Sequence, residues 1–140
     1  MVLETWMEDV MKKIIFASML TALFSLPVIA EQKCPDISGK YSCSVPQFPG
    51  LSQDSVITQT DQQLVIDGEI FYTDGAHHKR PNGTDYNVQC HDNSLDLWMY
   101  NTGTSETATL IYTPTRQGLD ISQMSSRNPK PQPMLNCKRK

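Results

Sequence analysis

The chain has 140 residues, of which 39% are hydrophobic and 19% are charged, and its formal net charge at pH 7 is −3. This length allows one domain once a leader is removed, and the apolar content is too high for a disordered chain. A charge so close to neutral argues against nucleic acid or an acidic membrane surface as partners, because both attract strongly basic proteins.

The segment from residue 12 to residue 30 has the three parts of an export signal. A basic pair, an apolar stretch and two small residues follow one another, namely Lys12-Lys13, residues 14–26, Val28 and Ala30. This order is typical of a secretory signal peptide. The apolar stretch is too short for a membrane-spanning helix, which needs about 20 apolar residues.

The expected domain boundary follows from this signal. We predict cleavage after Ala30, a single domain over residues 31–140, and initiation at Met11, because the acidic residues 1–10 do not fit an export signal. Three residues separate the predicted cleavage site from Cys34, which argues against a lipid-modified N-terminal cysteine. We therefore expect an exported protein, periplasmic or secreted, without a stable membrane anchor.

Alternation of apolar and polar residues dominates the predicted domain. In residues 95–100, for example, two leucines and a methionine alternate with Asp96, Trp98 and Tyr100. This two-residue period is typical of antiparallel strands with one buried face and one solvent-exposed face. Turn residues separate the alternating runs, and Asp67-Gly68 is the strongest hairpin signal. The predicted strands are residues 40–45, 54–60, 63–67, 69–73, 84–90, 94–101, 106–113, 118–124 and 134–139.

Strand number and spacing predict the fold class. Eight or nine short strands without a helix of three turns are typical of a barrel or a sandwich. The first and last predicted strands each carry a cysteine on the apolar phase, Cys43 and Cys137, which favours closure. We predict an all-β fold, a small antiparallel meander closing into an 8–9 stranded barrel, with a β-sandwich as the alternative. Prolines predict loops at residues 46–50 and 125–133.

The four cysteines predict two disulfides in an oxidising compartment. Cys34, Cys43, Cys90 and Cys137 allow three connectivities. First and last strands are neighbours in a closed barrel, so that Cys34 or Cys43 can meet Cys137. All three pairings stay open, and we favour Cys34–Cys137 with Cys43–Cys90. Because no Cys-x-x-Cys occurs, we expect neither a redox motif nor a zinc ribbon, and no cofactor.

The start of the first strand, Gly39-Lys40-Tyr41, resembles the Gly-x-Trp motif of the lipocalin and fatty-acid-binding (calycin) superfamily. In that superfamily an arginine late in the barrel packs over the aromatic ring, and Arg139 is the corresponding candidate over Tyr41. The opening Cys-Pro-x-x-x-Gly-x-Tyr-x-Cys also resembles that of small uncharacterised exported bacterial proteins. The calycin resemblance implies a barrel that holds a small apolar ligand.

A weaker resemblance concerns the next residues, Tyr41-Ser42-Cys43. They are similar to the Tyr-x-Cys early strand of periplasmic lysozyme inhibitors, which are small exported β-barrels. The inhibitory Ser-Gly-x-x-Tyr loop of that family does not occur in this sequence. This resemblance implies the shared barrel and keeps enzyme inhibition as an alternative function.

The histidines offer little support for a metal site. His77 and His78 lie between two turn signals, together with Lys79 and Arg80, and adjacent residues of an extended chain point apart. His91 belongs to a turn. Because a metal site needs convergent ligands, we expect all three histidines to be solvated loop residues.

The candidate binding residues lie on the alternating strands. If the leucines of residues 95–100 face inward, then Trp98 and Tyr100 face outward and form a recognition patch; the reverse phase would place them in a pocket. The interior side chains expected to line a ligand cavity are Tyr41, Tyr86, Leu97 and Leu110. No nucleophile and base are arranged for catalysis, so we do not expect an enzyme. We predict a noncatalytic binding protein for a small apolar ligand, with a protein-interaction module or lysozyme-type inhibitor as the alternative.

Overall fold

The computed structural model describes residues 33–140, and the predicted export signal over residues 1–30 lies outside them. Within the described residues, no helix is long and apolar enough to span a membrane. The strands are β1 (Gly39–Val45), β2 (Phe48–Gln59), β3 (Gln63–Ile66), β4 (Glu69–Tyr72), β5 (His78–Lys79), β6 (Thr84–Cys90), β7 (Leu95–Asn101), β8 (Glu106–Pro114), β9 (Gly118–Ser125) and β10 (Gln132–Arg139).

These ten strands form one antiparallel sheet in the order β4-β3-β2-β1-β10-β9-β8-β7-β6-β5. Strands that are consecutive in the chain pair with each other, apart from β4 and β5, which share no ladder. In addition, β1 pairs with β10. The two ends of the sheet approach each other between β4 and β6, which makes a nearly closed barrel. The predicted all-β meander is therefore confirmed. The sheet has ten strands rather than the eight or nine predicted, and the nine ranges given above lack only β5, because a two-residue strand is too short to show any alternation.

The hairpin predicted at Asp67-Gly68 is confirmed. Both residues have positive φ, 50° and 89°, and β3 pairs directly with β4 on either side of them. Glycine adopts this conformation at no steric cost, and aspartate tolerates it better than most residues. The turn also positions the Asp67 carboxylate, which accepts hydrogen bonds from β2.

The predicted loop at residues 46–50 is wrong in its second half. The turn is confined to Pro46 and Gln47, and Phe48 already pairs with Val45 beyond a register shift. Pro49 is compatible with β2 because β3 pairs only with the far end of β2, so that the outer edge of β2 is unpaired here. In the same way β10 begins one residue before Pro133, earlier than predicted.

Tyr41 fixes the start of β1 in the core. Its side chain is 1% exposed, and its hydroxyl donates a hydrogen bond of 2.8 Å to the carbonyl oxygen of Ile37. The ring packs over Gly39, where an added Cβ would lie 3.2 Å from both the Cζ atom and the hydroxyl oxygen of Tyr41. The Arg139 guanidinium carbon lies 5.6 Å from the centroid of the Tyr41 ring. The arginine-over-tyrosine contact expected at this position is therefore present.

The disulfides differ from the pairing that we favoured. Cys43 is bonded to Cys137, and Cys34 is bonded to Cys90. Cys43 and Cys137 are directly opposite in the β1–β10 ladder, so the strand closure that we expected brings these two together. Cys34 precedes β1 and reaches the end of β6 instead. Disulfides form and persist in oxidising environments, and the two bridges point to such a compartment.

Side chains close the seam between β4 and β6. The Tyr86 hydroxyl accepts a hydrogen bond of 3.0 Å from the Tyr72 backbone N–H, and the Phe71 ring meets the Tyr86 ring edge to face, with centroids 5.1 Å apart. Arg80 lies over the Phe71 ring and forms a 3.2 Å ion pair with Glu69. The barrel is thus continuous at this seam in side-chain packing but not in its backbone ladder.

Candidate functional site

A cleft of about 460 Å³ opens at one end of the barrel. It lies where β6 and β8 begin and where β7 and β9 end, and we call it the mouth cleft. Its volume falls within the range of about 300–1,000 Å³ typical of small-molecule sites. The lining side chains on the inward phase of their strands are Thr84, Met99, Asn101, Glu106, Ala108, Gln123 and Ser125.

The floor of the mouth cleft is apolar. Met99 packs against the buried core and is itself half-buried, and Ala108 lies opposite it in the β7–β8 ladder. A small residue at position 108, next to the flexible thioether of Met99, leaves the space that larger side chains fill elsewhere in the barrel. This floor can take the apolar part of a ligand.

The walls and rim of the mouth cleft are polar. Gln123 is half-buried, and its side-chain carboxamide makes no hydrogen bond to another residue in the range 33–140. Glu106 and Arg127 form an ion pair at the rim, with their side chains 45% and 84% exposed. Because water screens an exposed pair, the charges of Glu106 and Arg127 stay accessible to a ligand. The mouth cleft therefore combines a small apolar surface with free hydrogen-bonding groups.

The hairpin between β7 and β8 shapes the rim. The Asn101 carboxamide oxygen accepts hydrogen bonds from the backbone N–H groups of Gly103 at 2.9 Å and Thr104 at 3.4 Å. Ser105 has a positive φ of 56°, a left-handed conformation that closes the turn. These local bonds order the hairpin, which gives the rim a defined geometry.

Most of the side chains predicted to line a cavity are core residues. Tyr41, Tyr86 and Leu97 are at most 3% exposed, and Leu110 is half-buried and packs against the core. None of the four lines the mouth cleft, and only Tyr41 lines the second cavity described below. Neither of these two cavities therefore gathers the four side chains around one ligand space.

The two predicted surface aromatics lie together on the outer face. Leu95 and Leu97 are buried, so Trp98 occupies the outward phase of β7 together with Tyr100. The Trp98 and Tyr100 rings are nearly parallel, with centroids 6.2 Å apart and an interplanar angle of 5°. The exposed His77 ring meets Trp98 edge to face at 5.4 Å. These three rings form an outer aromatic row.

The histidines are dispersed, and each has a separate environment. His78 lies in β5, where its ring stacks on Tyr86 at 5.3 Å and its Nε2 lies 2.8 Å from the Asp74 carboxylate. That hydrogen bond lowers the pKa of the Asp74 carboxyl. His91 pairs with Asp96 at 3.1 Å. His78 is therefore not the solvated loop residue that we expected, because it packs against the seam.

A second cavity of about 160 Å³ lies beside the Cys43–Cys137 disulfide. It shares no lining residue with the mouth cleft. Tyr112 lines it from β8, and burial together with the charge of Asp67 raises the pKa of Tyr112 to about 12. Its phenol therefore stays neutral across the physiological range.

Sequence reasoning missed both cavities for the same reason. Their free polar groups, Gln123 and Tyr112, lie on strands whose alternation was recognised, but alternation indicates only which side chains face inward. It does not show where the interior is left unfilled.

Comparison with protein-family models, with curated proteins and with solved structures finds no match to this chain.

Proposed function

We propose that the chain is an exported, noncatalytic binding protein that holds a small amphipathic molecule in the mouth cleft. The observation that carries the proposal is the 460 Å³ volume of the cleft, combined with its apolar floor and the side-chain carboxamide of Gln123, which makes no hydrogen bond to another described residue. A site of this kind binds by burying an apolar body and by orienting it through a few polar groups. The Tyr41–Arg139 contact supports a calycin-like barrel as its scaffold.

The ligand chemistry follows from the lining. Met99 and Ala108 offer an apolar surface of limited area, whereas Gln123 can both donate and accept hydrogen bonds. At the rim, Arg127 can attract an acidic group and Glu106 a basic one. An amphipathic ligand with a carbonyl, amide or hydroxyl group therefore fits better than the purely apolar ligand expected from the sequence.

The test is to fill the cleft. The variant Ala108→Phe places a ring on the floor, and the matched control Ser122→Phe places the same ring on the outward phase of β9. Binding of an anilinonaphthalene sulfonate, an amphipathic fluorescent probe, is measured by titration of the disulfide-intact protein. We expect Ala108→Phe to weaken binding by roughly tenfold, which corresponds to about 1.4 kcal/mol, and the control to have no effect.

A second candidate function, protein recognition, is favoured by the outer aromatic row of His77, Trp98 and Tyr100. Partly exposed aromatic side chains supply much of the energy in protein interfaces. The same experiment separates the two functions when Trp98→Ala/Tyr100→Ala is added as a third variant. If the wild-type protein binds no probe, and the double variant alone loses a co-purifying protein, the mouth-cleft proposal is wrong and protein recognition replaces it.

A further inference from the structure

A largely buried tyrosine lines the second cavity. Tyr112 is 4% exposed, and its hydroxyl makes no hydrogen bond to any residue in the part of the chain that the structure describes. Every buried side-chain N or O atom of the described residues has a hydrogen-bond partner, so the Tyr112 hydroxyl oxygen is not sealed from solvent and a ligand in the cavity can reach it. Because the raised pKa keeps the phenol protonated, Tyr112 can act as a hydrogen-bond donor.

Asp67 supplies a fixed acceptor at the edge of the same cavity. One of its carboxylate oxygens accepts from the Val56 backbone N–H at 2.8 Å, and the other accepts from the Ser55 hydroxyl at 2.9 Å. Each oxygen keeps a further lone pair for a ligand. The two protein bonds hold the carboxylate in place, and its negative charge disfavours an anionic ligand.

Most of the other side chains that line the cavity are apolar, and Gln53 and Ser55 add polar groups. Ile57, Leu119, Ile121 and Leu135 line it together with the Cys43–Cys137 disulfide. For comparison, an apolar protein cavity of about 150 Å³ is large enough to bind benzene. The space of about 160 Å³ therefore suits one aromatic or branched aliphatic group.

We propose that this cavity is a second binding site, which takes a small neutral alcohol or phenol. The apolar body of the ligand packs against the isoleucine and leucine side chains. Its single hydroxyl accepts a hydrogen bond from Tyr112 and donates one to Asp67. A hydroxyl can do both at once, and neither a hydrocarbon nor a carboxylate can.

The experiment uses phenol as the probe, with benzene and benzoate as comparators. Each is titrated into the disulfide-intact protein and followed by amide chemical-shift changes in NMR spectra. We expect phenol to shift the amides around Tyr112 with a dissociation constant near or below about 1 mM. Benzene is expected to bind more weakly than phenol, and benzoate is expected to be excluded by the charge of Asp67.

Two variants test the assigned contacts. Tyr112→Phe keeps the ring and removes the donor, so we expect phenol affinity to fall roughly tenfold while benzene affinity is unchanged or higher. Asp67→Asn suits the positive φ of residue 67, and we expect it to weaken phenol binding and to relax the exclusion of benzoate. Tyr100→Phe, which alters a tyrosine on the outer face of β7, is the matched control.

Two results would overturn the second site: no shift near Tyr112 at about 10 mM phenol, or equal phenol affinity in the wild type and in Tyr112→Phe. The mouth cleft is tested separately by Ala108→Phe, which is expected to leave phenol binding unchanged. If Ala108→Phe abolishes the phenol-dependent shifts, the phenol lies in the mouth cleft, and the second-site proposal is wrong.

Discussion

Gly118 stands where β9 and β10 approach too closely for a side chain. A Cβ built at this position would lie 2.1 Å from the carbonyl oxygen of Cys137 and 3.0 Å from the Cα of Lys138. Both blocking atoms belong to the backbone of the neighbouring strand, so neither can move aside as the tip of a flexible side chain would. The glycine is therefore required by the spacing of the two strands.

We predict that Gly118→Ala destabilises the protein by about 3 kcal/mol, because the methyl group forces β9 and β10 apart. Gly50→Ala is the matched control, since an added Cβ at this exposed strand position meets nothing within 4 Å. We expect that variant to stay within about 0.5 kcal/mol of the wild type. The measurement is urea-induced unfolding; equal midpoints for the two variants would contradict the close approach.

At the scale of strands, the seam between β4 and β6 differs from every other neighbouring pair in the described sheet. The other pairs share a backbone ladder, whereas β4 meets β6 through the Tyr86 hydroxyl and the side chains of Phe71 and Arg80. This seam therefore lacks the row of backbone hydrogen bonds that joins the other pairs, and local opening begins where such bonds are few. We expect the barrel to open first at this seam.

The prediction for the seam concerns the Tyr72 amide. Tyr86→Phe removes the hydroxyl that accepts its hydrogen bond, at a cost of about 1 kcal/mol, so Tyr72 should exchange its amide hydrogen roughly fivefold faster. Tyr100→Phe removes a hydroxyl from the outer face and should leave that rate unchanged. Exchange measured residue by residue by NMR tests this. Unchanged protection of Tyr72 in Tyr86→Phe would mean that the seam is held by other contacts.

The strands show why sequence reasoning succeeded for most of the fold. Long alternating runs such as β6, β7 and β8 were placed within two residues, because a buried face imposes a two-residue period on any strand that crosses the core. β5 was missed because two residues contain no period. Pro49 and Gly50 are turn residues and predict a loop where β2 begins, although an unpaired strand edge accepts them.

At the scale of the molecule, the cysteine pairing and the sites depend on geometry that strand order does not contain. Closure of β1 on β10 was expected, but the cysteine that meets Cys137 depends on strand register. Cys43 is directly opposite Cys137 in the β1–β10 ladder, whereas Cys34 precedes β1. The mouth cleft likewise depends on where strand ends leave space. Its lining combines small and polar residues, such as Ala108 and Ser125, that carry no distinctive sequence signal.

The two disulfides hold different parts of the molecule together. Cys43–Cys137 joins the first strand to the last across a sequence separation of 94 residues, and both cysteines are at most 2% exposed. Cys34–Cys90 spans 56 residues and fastens the segment that precedes β1. In that segment the Ile37 backbone N–H donates a hydrogen bond of 2.9 Å to the Gln59 side chain. The two bridges should therefore contribute differently to stability.

We predict that Cys43→Ala/Cys137→Ala lowers the free energy of unfolding by about 3–5 kcal/mol, since it removes a long-range cross-link and also leaves space in the core. Cys34→Ala/Cys90→Ala should cost about 2–3 kcal/mol, and it should also free the preceding segment. Urea unfolding measures the first effect, and hydrogen exchange of the Ile37 amide measures the second.

The exchange pattern is the decisive control, because both double variants remove one bridge and keep the other. Loss of Cys34–Cys90 should release Ile37 selectively while the amides of β1 and β10 stay protected. Loss of Cys43–Cys137 should lower protection of all three together, because this bridge fastens the strands by which the barrel closes. Selective release of Ile37 in both variants would show that the β1–β10 ladder holds without its disulfide and that the bridge is not needed for closure.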